Sequence, residues 1–173
     1  MKSKILTLRE LIIFALLGTL MFVLKKAMEF MPNMHLVAVL TVAYTLCFRK
    51  KALYPIYIYV FLDGLFGGFS TWWIPYLYVW TVLWGVTMLL PQNMDAKVAV
   101  PVYMAVCGLH GLLFGVLYAP AQAIMFGLSF KATVAWVIAG LPFDLVHALS
   151  NLILGSLVLP IKLAIQRADK MTI

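Results

Sequence analysis

The amino-acid sequence predicts an all-α integral membrane protein, folded as a bundle of six transmembrane helices. Of its 173 residues, 65% are hydrophobic and 11% are charged, whereas a soluble domain has about 25% charged residues. A helix needs about 20 apolar residues to cross a bilayer, so the chain accommodates about six crossings joined by short turns. We therefore expect residues 1–173 to form one membrane domain, without a soluble ATPase or receptor domain.

The positive charges predict the orientation of this bundle. Three lysines, Lys25, Lys26 and Lys131, fall at one set of helix ends. The other ten cations fall at the opposite ends: Lys2, Lys4, Arg9, Arg49, Lys50, Lys51, Lys97, Lys162, Arg167 and Lys170. Because cations accumulate on the cytoplasmic side, both termini are expected there, in a multi-pass bacterial cell-membrane protein. The net charge of +7 then reflects topology and contact with membrane lipid, and nucleic acid is not expected as a partner.

Six apolar segments give the expected helix positions. They run from about Leu8 to Met28, Met34 to Arg49, Ala52 to Phe66, Thr71 to beyond Trp84, Val98 to Tyr118, and Thr133 to Ala164. The apolar segment Ala119–Lys131 is external in this topology, so it is expected to lie on the membrane or to cover the protein as a lid. Pro142 is expected to kink the sixth helix.

The sixth predicted helix carries a stripe of polar residues within its apolar sequence. Asp144, His147 and Asn151 are separated by three and four residues, so they share one helical face. A carboxylate at membrane depth costs several kcal/mol unless it has a partner or a wet cavity. The stripe is therefore expected to face a ligand pocket, or to form a polar clasp that holds two helices together.

An aromatic stripe occupies the fourth helix. Trp73, Tyr76, Trp80 and Trp84 recur at intervals of three and four residues, so their rings extend over about three turns of one face. Such a face suits a wall on which a planar ligand stacks. The alternatives are an aromatic belt at the membrane interface and ordinary core packing.

The expected topology places most intramembrane polar groups in the outer half of the bundle. The candidate substrate-binding residues are Asn33, His35, Asp63, Trp73, Tyr76, Trp80, Trp84, His110, Asp144, His147 and Asn151. This asymmetry favours a pocket near the extracellular face that is closed below. For His35 and Asp63 the alternative is a hydrated interfacial side chain, and for His110 it is a hydrogen bond between helices. No metal and no cofactor are expected.

Small residues on the first helix form a second candidate surface. Ala15, Gly18 and Thr19 would allow another helix to approach closely. The partner helix could belong to the same chain or to another subunit.

Two segments resemble the substrate-binding (S) components of energy-coupling factor transporters. They are the run Pro32-Asn33-Met34-His35-Leu36 and the segment from Gly140 to Asn151, which reads GLPFDLVHALSN. With the six apolar segments, the resemblance extends over essentially the whole chain. It implies a six-helix fold with an outer pocket gated by the loops after helices 1, 3 and 5. It also implies a transmembrane coupling (T) component and two cytoplasmic ABC-type ATPases as partners. The nearest equivalent here of the family's Ala-x-x-x-Ala docking patch is Ala15-x-x-x-Thr19, in which threonine, still a small residue, replaces the second alanine.

The expected function is therefore substrate capture for vitamin or micronutrient uptake. The ligand would be a planar heterocycle of the vitamin, vitamin-precursor, deazapurine or corrinoid type, handed inward without chemical change. No HExxH, GxSxG or P-loop motif occurs, which argues against an enzyme. Two alternatives remain: a self-sufficient homo-oligomeric transporter, and an intramembrane enzyme that uses Asp144 and His147 as an acid–base pair.

Overall fold

The computed structural model describes residues 6–171, and the regular structure within that range is helical. The helices are α1 (Leu8–Ala27), α2 (Val37–Phe48), α3 (Leu53–Gly67), α4 (Tyr76–Met88), α5 (Ala96–Leu112), α6 (Phe114–Phe126), α7 (Phe130–Leu154) and α8 (Val158–Met171), with 3₁₀ turns at Arg49–Ala52 and Gly155–Leu157. The expected all-α fold is confirmed. Lys2 and Lys4, two of the cations used to orient the chain, lie outside the described residues, as does the side chain of Lys170.

Two stretches of the chain have the length and hydropathy to cross a membrane. They are Ala96–Phe126, with 31 residues, and Phe130–Ala168, with 39 residues. Tyr76–Met88 is a shorter apolar helix. The expectation of helices that can cross a membrane is met by these two stretches, whereas the number of crossings and their orientation stay predictions.

Several helix ends differ from the predicted ones. The fourth helix begins at Tyr76 rather than Thr71, because Pro75 disfavours helical geometry in the residue before it. The expected fifth helix is divided at Leu113 and continues to Phe126. The segment expected as a lid, Ala119–Lys131, is therefore mostly the end of α6. Only the turn 127–129 separates α6 from α7, and Gly127 enters it with φ +61°.

Helix α2 is the centre of the protein. The ten residues from Val37 to Leu46 are all buried, as expected for a helix that is apolar on every side. Helices α4, α5 and α8 pack around it, while α1 packs against α3, and α5 against α7. Long apolar side chains such as Leu16, Phe143 and Ile153 remain on the outside, where an apolar surface suits contact with lipid.

Helices α1 and α3 approach closely at Gly18. A Cβ atom at this position would lie 2.6 Å from Ile58 Cγ2 and 2.8 Å from the carbonyl oxygen of Pro55. Gly18 is therefore used for packing within the chain. Ala15 and Thr19, the other two residues of the small patch, are exposed and remain available to another molecule.

The first prediction concerns this contact. Gly18→Ala should lower the free energy of unfolding by about 1–3 kcal/mol, because the added methyl group meets the α3 backbone. Ala15→Leu, on the exposed side of the same helix, is the control and should change it by less than about 0.5 kcal/mol. Unfolding of the purified variants in detergent measures both. Equal effects of the two substitutions would contradict the close approach of α1 and α3.

Candidate ligand-binding site

The polar stripe of α7 faces the interior of the protein. Asp144, His147 and Asn151 are all buried, and Ser150 is buried beside them. The predicted common face is therefore confirmed. The three side chains nevertheless have different surroundings.

Asp144 binds the start of α6. The backbone N–H of Gly115 donates to the carboxylate, 3.2 Å from Oδ1 and 3.2 Å from Oδ2. The first N–H groups of a helix have no acceptor within that helix, and a negative charge is favourable there. Asp144 thus caps α6 from α7. A Cβ on Gly115 would lie 2.4 Å from Oδ2, so any larger residue there would have to displace the carboxylate.

Asp63, the other predicted acidic ligand, is committed to an ion pair. Its carboxylate is fully buried and accepts from Lys25 Nζ at 2.8 and 3.1 Å. This pair ties the end of α1 to the end of α3. Lys25 Nζ also lies 3.4 Å from Glu29 Oε1, and Lys26 Nζ lies 2.7 Å from the same atom. The hydrogen bond from Lys26 lowers the pKa of Glu29, and the positive charge of Lys25 adds to the effect.

The tryptophans of the aromatic stripe serve different purposes. Trp73 lies in the turn before α4, and its Nε1 donates to the carbonyl of Val60 at 2.7 Å. Trp84 Nε1 donates to the carbonyl of Arg49 at 3.0 Å. These two indoles fasten α4 to neighbouring segments. Trp80 is more deeply buried than either, and its Nε1 has no hydrogen-bond partner among the described residues.

Trp80 belongs to a closed circuit of five rings. Its members are Trp80, His110, Phe114, His147 and His35. In that order, with the last ring returning to Trp80, the centroids are separated by 5.4, 6.0, 4.9, 5.0 and 6.1 Å. Most of the contacts are edge-to-face, the arrangement that aromatic quadrupoles favour. Four helices and the segment before α2 contribute these rings.

The aromatic circuit contains buried polar atoms without partners in the described part of the chain. They are His35 Nδ1, Trp80 Nε1, His110 Nδ1 and His147 Nε2, with Oδ1 and Nδ2 of Asn151 one helical turn further along α7. An unsatisfied buried group costs about 1–3 kcal/mol. Such groups are rare in folded proteins and indicate a functional site or an unseen partner.

One tautomer in the circuit is fixed by its surroundings. His110 Nε2 lies 3.3 Å from the carbonyl oxygen of Val79. A carbonyl only accepts, so this nitrogen carries the proton in the neutral ring. His110 Nδ1 is then an acceptor.

A cavity of about 200 Å³ adjoins the aromatic circuit. Three rings of the circuit line it, with Tyr76, the end of α1 and the turn between α1 and α2: Lys25, Met28, Glu29, Met31, Pro32, Asn33, Met34, His35, Tyr76, Phe114 and His147. Asn33 holds the turn in place, because its carbonyl accepts from Ser150 Oγ at 3.2 Å. Its φ of +59° lies in the left-handed region, which asparagine tolerates better than most residues.

The structure divides the predicted site residues into two groups. Seven lie at the cavity or in the cluster next to it: Asn33, His35, Tyr76, Trp80, His110, His147 and Asn151. Asp63, Trp73, Trp84 and Asp144 have partners elsewhere in the chain.

Sequence reasoning missed Phe114 and Lys25. Phe114 has a detectable signal, since His110, Phe114 and Tyr118 are each four residues apart and share a helical face. Lys25 has a weaker one, because it stands at the same end of the predicted bundle as Asp63.

Comparisons with known proteins do not identify this site. No protein-family model, curated protein or solved structure matches the chain. Within residues 6–171, no group of three or more His, Cys, Asp or Glu side chains is arranged to hold a metal ion.

The cap on α6 gives a prediction about coupling. Gly115→Ala should destabilise the protein by about 1–3 kcal/mol, because the methyl group meets the Asp144 carboxylate. With Asp144→Ala already present, the loss of unfolding free energy caused by Gly115→Ala should be smaller by at least about 0.5 kcal/mol. Unfolding of the two single variants and the double variant gives this difference. Strictly additive effects would show that the two residues do not interact.

The Lys25–Asp63 pair gives another prediction. Lys25→Met should destabilise the protein by about 2–4 kcal/mol, because it leaves a buried carboxylate unpaired; the partial exposure of Lys25 keeps the cost below that of a sealed pair. Adding Asp63→Leu should restore most of the loss. Lys26→Met is the control, with an expected effect of about 0–1 kcal/mol because its partner Glu29 is exposed. Unfolding in detergent tests all three, and no recovery in the double variant would refute the pairing.

Proposed function

We propose that this protein is a membrane-embedded binding subunit that captures a small planar micronutrient for uptake. One observation carries the proposal: His35 and His147, two residues of the aromatic circuit that hold unpaired polar atoms, line a cavity. A ligand with a flat polar ring would stack on the aromatic faces and satisfy these atoms. A pocket with aromatic walls and a few polar groups is the usual form of a small-molecule site.

The proposal includes six membrane crossings. These are α1, α2, α3, α4, the α5–α6 stretch, and α7 with α8. Both termini are then cytoplasmic, as the distribution of lysine and arginine favours. In this topology the turn between α1 and α2 faces the outside, and so does the cavity below it.

The two segments that carry the resemblance to S components meet at this cavity. Ser150 Oγ of one segment donates to the carbonyl of Asn33 in the other. The rings of His35 and His147 are 5.0 Å apart. Contact between these segments supports an S-component role, with a T component and two ABC-type ATPases as partners. Ala15 and Thr19, exposed on α1, are the proposed docking residues.

Other functions have less support from the described residues. An enzyme using Asp144 and His147 would need a free carboxylate, and both oxygens of Asp144 already accept from Gly115. A purely structural polar clasp would pair its members with one another, whereas His147 Nε2 and the Asn151 amide have no such partner. A homo-oligomeric transporter would use the same pocket, so it differs from our proposal in its partners only.

This proposal is tested by identifying the small molecules that accompany the protein through purification in mild detergent. Mass spectrometry should find one compound bound to the unaltered protein and absent from Trp80→Leu, which removes the ring packed against His35 and Phe114 at the cavity. Trp136→Phe, outside the aromatic circuit, is the control and should retain the compound. Retention by a folded Trp80→Leu protein would contradict the site.

A further inference from the structure

We infer that the cytoplasmic end of the protein binds one anionic phospholipid, with its phosphate in a basic pocket beside α1 and its acyl chains along α3. This site is separate from the proposed micronutrient site, which lies at the other end of α1. The inference rests on the membrane topology proposed above and not on the identity of the captured compound. Two adjoining surfaces carry it, one basic and one apolar.

The basic pocket has a volume of about 430 Å³ and lies between the start of α1 and the turn after α2. Among the described residues, two cations, Arg9 and Lys51, and one acid, Glu10, line it. Both oxygens of Glu10 already accept within the chain, Oε1 from Lys51 Nζ and Oε2 from the backbone N–H of Thr7 at 3.1 Å. The described lining therefore has a net charge of +1, and Arg9 is exposed. The other lining residues are Thr7, Ile13, Phe14, Cys47 and Phe48.

An apolar groove of about 510 Å³ adjoins this pocket and extends along α3. The rings of Phe14, from the pocket, and Tyr54, from the groove, stack with their centroids 5.7 Å apart and their planes 6° from parallel. At 1.5 Å per residue, the groove is about 14 Å long from Leu53 to Leu62. Tyr54 and Phe61 are exposed, so the groove is open to the membrane in the proposed topology. Its lining is Leu53, Tyr54, Tyr57, Ile58, Phe61 and Leu62.

The order of charge and apolar surface along the site follows the order of headgroup and chains in a phospholipid. Basic pockets between transmembrane helices on the cytoplasmic side bind anionic lipid headgroups, and arginine matches the geometry of a phosphate. A zwitterionic headgroup gains less because it brings its own positive charge. Arg49 is not part of the site although it belongs to the same turn, since its Nη2 donates to the carbonyl of Met88 at 2.6 Å. The cations that line the pocket therefore define a local site and not a general basic surface.

Native mass spectrometry of the purified full chain in mild detergent tests this inference by titration with three probes. Dioleoyl phosphatidylglycerol is the anionic lipid, dioleoyl phosphatidylcholine has the same chains without net charge, and glycerol 3-phosphate has the phosphate without chains. We expect the first phosphatidylglycerol to bind about fivefold or more tightly than phosphatidylcholine, the factor that one cation near an anionic lipid represents. Glycerol 3-phosphate should bind about tenfold or more weakly than phosphatidylglycerol, because it buries no chain in the groove.

Two variants connect this preference to the pocket. Arg9→Gln should weaken phosphatidylglycerol binding about fivefold. Lys50→Gln is the matched control, because it removes the same charge from an exposed residue that does not line the pocket, and it should preserve the preference.

Four results would overturn the inference: equal binding of the two phospholipids, glycerol 3-phosphate binding as tightly as phosphatidylglycerol, no binding of any probe, or equal effects of the two substitutions. The first would indicate an unselective apolar surface and the second a site for free phosphate. Arg9→Gln should still retain the compound that co-purifies in a Trp80-dependent manner. A failure of the lipid site therefore leaves the proposed function standing.

Discussion

This structure depends on one constraint: burying a polar atom in an apolar interior without a hydrogen-bond partner costs free energy. Each such atom must find a partner within the chain or receive one from outside. Several of the predicted site residues find one nearby. Asp63 is paired with Lys25, Asp144 accepts from the start of α6, and the indoles of Trp73 and Trp84 donate to backbone carbonyls. These contacts also join helices that are distant in sequence.

Among the described residues, most of the atoms that do not meet this rule lie in the aromatic circuit and at Asn151. His35, Trp80, His110, His147 and Asn151 together hold six unpaired polar atoms. Four of the six belong to rings of the circuit, and two of those rings, His35 and His147, line the cavity. These residues are therefore not explained by packing alone. Apolar residues of similar shape would fill the space without the free-energy cost of unpaired polar atoms. Retaining these residue types makes sense if a ligand completes their hydrogen bonds.

The sequence was informative about periodic features and poor on contacts between distant segments. Spacings of three and four correctly placed Asp144, His147 and Asn151 on one buried face. The same spacing could not show that the indole N–H groups of Trp73 and Trp84 are hydrogen-bonded and that of Trp80 is not. This difference depends on which backbone carbonyls of other segments lie opposite each indole. The Lys25–Asp63 pair joins residues 38 positions apart. The break at Leu113 is stabilised by a carboxylate from another helix, so local propensity does not reveal it.

The most direct test of this account is an experimental structure of the protein purified in mild detergent, at a resolution that shows ordered water. We predict planar non-protein density in the cavity beside the aromatic circuit, with atoms about 3 Å from His35 Nδ1 and His147 Nε2. Density for ordered water alone, bridging the three histidines, Trp80 and Asn151, would contradict it. The cluster would then be a hydrated structural clasp and not a ligand-binding site.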